Sequence, residues 1–170
     1  SGETSYILGR VTNQSVLVFP YLAWRWKVQA PWSPRAKIQK THTHPIKVFV
    51  GLILNQRLNL SSSPHPSVGI PNKMPSYDRG LFFVWGKSEE MMGKLTYQGR
   101  KYSKHAAYTV RGGNKKEGQW WSEIIDIPAL YKKAWPNEEY RDASVIFVGI
   151  AAAESDYPAT TYIDSLRLSH

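Results

Sequence analysis

Tryptophans, carboxylates and cations are spaced along this chain so that several could meet a ligand, and each set points to a different chemistry. Trp24 and Trp26 stand two residues apart in Tyr21-Leu-Ala-Trp-Arg-Trp-Lys-Val28. An extended strand therefore puts both rings on one face and Ala23, Arg25 and Lys27 on the other. Facing outward, the two rings would stack on sugars; facing inward they would fill a core, which is the commoner fate of such rings. Trp120 and Trp121 are adjacent, so a strand turns them to opposite sides and leaves one at least partly exposed, while Trp32 falls in a loop. These five tryptophans are the candidate stacking residues. Glu154 and Asp156 precede Tyr157-Pro158 in a turn, where they could accept hydrogen bonds from sugar hydroxyls or coordinate a cation. Glycoside hydrolysis needs two carboxylates across a cleft, not neighbours in one turn, so glycosidase chemistry is disfavoured.

His42 and His44 have a spacing that could place two imidazoles on one metal, with His65 or Asp78 as a third ligand. With no Cys and no carboxylate in the motif, ordinary loop histidines are the preferred reading. Lys101-Tyr-Ser-Lys-His-Ala-Ala-Tyr-Thr-Val-Arg111 holds the residue types a polysaccharide lyase would use: a Tyr or His base and cations to neutralise a uronate carboxylate. In a regular strand, however, His105 and Arg111 face one side while Tyr102, Lys104 and Tyr108 face the other. The set does not converge, and lyase activity ranks as an alternative. The chain has no Gly-x-Ser-x-Gly elbow, phosphate loop or dinucleotide fingerprint.

Twenty-two Lys and Arg against thirteen Asp and Glu give a formal charge of +9, which favours polyanionic partners or else a solvated basic surface. The basic residues are scattered rather than packed in one dense run, which speaks against a nucleic-acid-binding arm. Absence of Cys excludes disulfides, thiolate catalysis and Cys-based zinc sites. No apolar run reaches the length of a transmembrane helix. Ser1-Gly2 reads as a processed or engineered start, which leaves room for a removed signal peptide.

The elements that must position these residues are mostly strands. Short runs at Thr4–Gly9, Ser15–Phe19, Tyr21–Val28, Ile46–Leu54, Gly80–Trp85, Ala106–Arg111, Gln119–Asp126, Ser144–Ala151 and Thr160–Leu168 are separated by turn residues. That pattern predicts an all-β antiparallel sandwich, one domain over residues 1–170, with no parallel βαβ unit. In the closing strand, strict alternation groups Tyr162, Asp164, Leu166 and Leu168 on one face. Pro128-Ala-Leu-Tyr-Lys-Lys-Ala-Trp135 has Pro at a first helical position and apolar residues at helical spacing, so it predicts one short helix closed by Pro136. Residues 30–44 and 59–78 read as long proline-rich loops.

Four ordered landmarks carry a family resemblance: Pro20-Tyr-Leu-Ala-Trp-Arg-Trp-Lys-Val28, Leu81-Phe-Phe-Val-Trp-Gly86, Trp121-Ser-Glu-Ile-Ile-Asp126 leading into Ala129-Leu-Tyr131, and Val148-Gly-Ile-Ala-Ala-Ala-Glu-Ser-Asp156. With them the chain resembles an uncharacterised bacterial family of exported proteins, the domain of unknown function numbered three thousand and forty-seven. Two departures stand out: Thr43-His44-Pro45 where an acidic pair is expected before the strand at Val48, and Glu154-Ser155-Asp156 in place of an Asp-x-Asp run. The last strand, Tyr162-Ile-Asp-Ser-Leu-Arg167, is also similar to that of galactose-binding-type jelly rolls, the sandwich of many carbohydrate-binding modules. That similarity implies a jelly roll in which Asp164 joins an early acid, here Glu3, in holding a structural calcium through oxygen ligands. An ion pair between Asp164 and an arginine is the alternative.

Together these features lead to one expectation: a non-catalytic module of the periplasm or secreted space that binds carbohydrate, an acidic polysaccharide or another polyanionic envelope ligand. A polysaccharide lyase and an accessory subunit docked on an envelope protein complex are the other two readings.

Overall fold

Apolar runs and alternating runs fold into different kinds of strand in a computed structural model, which describes residues 5–29, 43–54, 75–115, 117–153 and 159–170. Among these residues the strands are β1 (Ser5–Ser15), β2 (Tyr21–Gln29), β3 (Ile46–Ile53), β4 (Arg79–Gly86), β5 (Leu95–Tyr97), β6 (His105–Gly112), β7 (Trp121–Asp126), β8 (Ser144–Ala153) and β9 (Thr160–Ser169). One helix, α1 (Ile127–Ala134), follows β7 directly. A six-stranded sheet in the order β1-β8-β3-β4-β6-β5 packs against a three-stranded sheet in the order β7-β2-β9. β3 and β4 lie inside the larger sheet, and their near-continuous apolar sequences are what strands covered on both faces require. β2 is central in the smaller sheet and covered on one face only. It alternates accordingly, with Leu22, Trp24, Trp26 and Val28 buried and Tyr21, Arg25 and Gln29 exposed.

The two-layer sandwich with one short helix agrees with the sequence pattern, but several local features do not. β4 and β6 pair in parallel, with a 3-10 turn at Glu89–Met91 and β5 inserted between them. Residues 16–19 are a turn rather than a strand, and the short strand β5, which the sequence reading missed, pairs with β6 at the sheet edge. Strict alternation also fails in β9. Ala23 pairs with Arg167 but Arg25 pairs with Asp164, so β9 carries one extra residue, and Ser165 takes a left-handed backbone, φ 57°. The bulge inverts the pleat: Ile163, Leu166 and Leu168 turn to the core, and Tyr162 and Asp164 turn outward.

Rings from both layers meet between the sheets. Trp24 lies 5.7 Å from Trp26 and 5.4 Å from Phe83, and Trp26 lies 5.6 Å from Trp85, centroid to centroid. Trp24 and Trp26 are 1% and 0% exposed, which corrects their candidacy as sugar-stacking residues. Each such ring contributes on the order of 3–5 kcal/mol against truncation to Ala. The other face of the larger sheet carries a second apolar layer of Phe49, Phe147, Phe82 and Tyr77. Glycine makes room for it: a Cβ on Gly9 would stand 2.5 Å from the Phe147 ring, and one on Gly149 would stand 2.5 Å from the Leu8 carbonyl oxygen.

Helix α1 starts where the Asp126 carboxylate accepts the Ala129 N–H at 2.8 Å, an N-cap with Pro128 in the first turn. Leu130, Tyr131, Ala134 and Trp135 join the core. The end of the helix is tied to the β5–β6 hairpin, since Tyr97 donates to the Ala134 carbonyl at 2.8 Å and Trp135 Nε1 donates to the Ser103 carbonyl at 2.8 Å.

Candidate functional site

Cross-strand register places the exposed side chains of the smaller sheet in rows. Trp26 pairs with Trp121 on β7 and with Ile163 on β9, and Lys27 pairs with Tyr162. One residue before β7 begins, Trp120 therefore stands on the outward side level with Lys27. Trp120 is 43% exposed and Tyr162 is 47% exposed. Lys27 Nζ lies 5.5 Å from the Trp120 ring centroid and 4.5 Å from that of Tyr162, so one ammonium is shared by two rings that reach water. The neighbouring row is Ser122, Arg25 and Asp164, and Arg25 Cζ also approaches Trp120, at 5.2 Å. Beyond it, Ala23 stands between Ile124, 73% exposed, and Arg167. The result is a flat strip about 10 Å wide, three strands across, on which rings alternate with cations.

Such a strip suits a ligand that offers both a flat apolar face and negative charge. Each cation–π contact at an exposed site is worth about 0.5–1 kcal/mol, weak enough for a ligand ring to displace the ammonium from one ring face. The displaced Lys27 would then stand beside the ligand with its charge unneutralised. Asp164 sets the limit of the positive field, because it pairs with Arg25 at 3.7 Å with both side chains about half exposed. That ion pair is the role in which the structure places Asp164. Among the described residues no group of three His, Asp or Glu is arranged to hold a metal. Glu3, Trp32, Glu154 and Asp156 lie outside the described residues.

Trp121 points the other way, half-buried, with Arg111 Cζ 3.9 Å above its ring. Arg111 is bound to the Glu123 carboxylate through Nε and, at 3.3 Å, through Nη2, and Trp26 Nε1 donates to the same carboxylate at 2.9 Å. This ion pair ties the two sheets together and leaves Trp121 as its lid. A register slip between Val84 and Trp85, against Thr109 and Arg111, turns Arg111 toward this interior. His105 stays on the opposite face of the larger sheet with Phe82 and Tyr77, so the pair expected on one side is split.

Two further polar groups join residues that the sequence pattern did not bring together. Tyr77 Oη and His105 Nε2 are hydrogen-bonded at 2.9 Å, and Lys104 Nζ lies 4.2 Å above the Tyr77 ring. Burial, and then the Lys104 charge, hold the His105 ring below its usual pKa, while burial pushes the Tyr77 phenol up. Elsewhere Glu138 accepts from Arg79 Nε at 2.9 Å and from Tyr131 Oη at 2.6 Å. Burial would raise its pKa, but the Arg79 and Tyr131 hydrogen bonds outweigh burial and keep the carboxyl below its usual range. Of the histidine pair considered as metal ligands, His42 lies outside the described residues. His44 is fully buried and accepts the Ile46 N–H at Nδ1, 3.2 Å. Its Nε2 and the buried Trp24 Nε1 find no hydrogen-bond partner among the described residues.

Arg25 and Lys27 were legible in the alternation of β2, and Trp120 in its adjacency to Trp121. Tyr162 was hidden, because the bulge at Ser165 reverses the face that simple alternation assigns to it. No curated protein and no solved structure matches the chain. One family model does, over residues 2–167, and its description is a protein of unknown function (DUF3047). With that match spanning nearly all of its 170 residues, the chain belongs to the DUF3047 family.

Proposed function

We propose that this protein is a non-catalytic binding module, exported to the periplasm or secreted space, that holds an acidic saccharide against the outer face of its three-stranded sheet. The carrying observation is the row Trp120–Lys27–Tyr162, in which one ammonium sits between two exposed rings. A sugar ring stacks its C–H face on Trp120 or Tyr162, and its carboxylate meets Lys27 or Arg25. The overall charge of +9 adds long-range attraction that falls as salt is added. Affinity electrophoresis in gels containing acidic or neutral polysaccharide tests this reading. Retention by the acidic polymer, weakened in Trp120→Ala/Tyr162→Ala, is expected; equal migration in every gel removes the reading.

A second reading, polysaccharide lyase, draws on the Tyr77–His105 hydrogen bond with Lys104 alongside. A neutral imidazole bonded to a phenol beside a cation has the parts for removing a proton next to a carboxylate. New ultraviolet absorbance from unsaturated ends on incubation with uronate polymers would support it, and a flat trace across the panel would dismiss it.

A further inference from the structure

From Met91 to Lys116 the chain carries no Asp or Glu but seven cations: Lys94, Arg100, Lys101, Lys104, Arg111, Lys115 and Lys116. Arg111 is committed to Glu123. Three of the others, Arg100, Lys101 and Lys104, are exposed at the tip of the β5–β6 hairpin. The tip is a built structure. Ser103 N–H donates to the Arg100 carbonyl at 3.1 Å, Ser103 Oγ donates to the Gln98 carbonyl at 3.0 Å, and Trp135 holds the Ser103 carbonyl. Tyr102 takes a left-handed backbone, φ 62°, a costly conformation for a bulky residue, and its ring meets the Tyr97 ring edge-on at 5.7 Å.

Cations at this end of the molecule lie over tyrosine rings rather than against carboxylates. Lys101 Nζ is 4.9 Å from the Tyr102 centroid, Lys104 Nζ is 4.2 Å from that of Tyr77, and Lys133 Nζ of helix α1 is 5.7 Å from that of Tyr108. Lys132 and Lys133 are exposed in the last turn of α1, the turn tied to the hairpin through Tyr97. Nearby acids are already engaged. Glu138 is bound to Arg79 and Tyr131, and Glu139 accepts the Tyr140 and Arg141 amides. Glu89 lies at the far end of β6, against Gly113. Among the described residues none of Arg100, Lys101 and Lys104 has an ion-pair partner.

We propose that the hairpin tip, with the last turn of α1, is a second anion-binding surface on the larger sheet, and that its ligand is the charged backbone of an acidic polysaccharide. Lysine ammoniums on flexible stems are mobile point charges that suit irregularly spaced anions. A bilayer is disfavoured because no exposed aliphatic side chain at the tip could enter it. Single-stranded nucleic acid is disfavoured because Tyr102 is the one exposed ring on the tip, where successive stacked bases need several. The inference rests on the preceding reading only in naming a polysaccharide; the surface itself stands apart from Trp120 and Tyr162.

The test is binding of alginate oligomers over a range of NaCl concentrations to the wild type, to Arg100→Gln/Lys101→Gln/Lys104→Gln and to Trp120→Ala/Tyr162→Ala. Removing three cations should make the slope of log affinity against log salt shallower by about 2, at roughly 0.7 per neutralised contact. The ring variant should lose affinity with its slope unchanged. A ring variant that binds like wild type while the tip variant loses slope would refute the outer-face site and leave the tip standing. A tip variant with the wild-type slope, or no alginate binding by the wild type, overturns the tip. Tighter binding to phosphatidylglycerol vesicles or to an oligothymidylate than to alginate overturns the assignment of a polysaccharide. Thermal melting checks that the tip variant is folded; should it fail, Lys101→Gln and Lys104→Gln made singly carry the same comparison.

Discussion

Acidification should weaken the fold through one buried imidazole before the carboxylates respond. His44 is fully buried, and burial lowers its pKa from the usual 6.5 to about 4. In the unfolded chain the ring titrates near 6.5. Above that pH both states are neutral and the group costs nothing. As pH falls below 6.5 the unfolded chain takes up the proton first, so stability drains away until the folded ring also titrates near pH 4. Linkage over that interval gives a loss of about 2 kcal/mol between pH 7 and pH 5, rising to about 3 kcal/mol at full effect. Urea unfolding at the two pH values measures it, with His44→Asn as the control. The Asn carboxamide oxygen can still accept the Ile46 N–H that Nδ1 accepts at 3.2 Å, but it does not titrate. Wild type should lose about 2 kcal/mol more than the variant over this interval. Because His105 and the other histidines remain in both proteins, their contributions cancel. Parallel losses in wild type and His44→Asn would refute the reasoning.

Other residues give sharper single-site tests. Glu123→Gln breaks the buried pair with Arg111 and weakens the acceptor of the Trp26 indole, so a loss of about 3–5 kcal/mol in chemical unfolding is expected; a loss under 1 kcal/mol would show that Arg111 finds water instead. Gly149→Ala puts a Cβ 2.5 Å from the Leu8 carbonyl and should lower the melting temperature by several degrees, whereas an unchanged melt would mean that β1 moves aside freely. Ser165→Gly relieves a left-handed backbone at the β9 bulge and should stabilise slightly or be neutral; clear destabilisation would argue that the serine side chain has a role of its own. Asp126→Ala removes the helix N-cap at a cost of about 1 kcal/mol, read from the urea midpoint.

Much of the fold was legible because hydrophobic periodicity is a local property. β2 alternates as a strand with one covered face must, β3 and β4 run apolar as strands with two covered faces must, and Pro128 marks the helix start within one residue. Residues 16–19 form a turn although Val16, Leu17, Val18 and Phe19 have strand-like side chains, because the Val18 and Phe19 N–H groups bond back to the Ser15 carbonyl. The short strand β5 carries too few residues to show a period. The parallel pairing of β4 with β6 depends on which sheet edge accepts the returning chain, and no local pattern encodes that choice.

Residue types and their local spacing specify the side chains that must be covered and the strands that cover them: tryptophans at a spacing of two, apolar runs of strand length, and an acid-free basic stretch from Met91 to Lys116. Which rings meet water depends instead on long-range strand pairing. A single extra residue at a bulge inverts every side chain beyond it, so Tyr162 and Asp164 turned outward at Ser165 and Arg111 turned inward opposite Trp85. Pairing between distant strands then set Lys27 between Trp120 and Tyr162, residues brought together by the register of three strands rather than by their order along the chain.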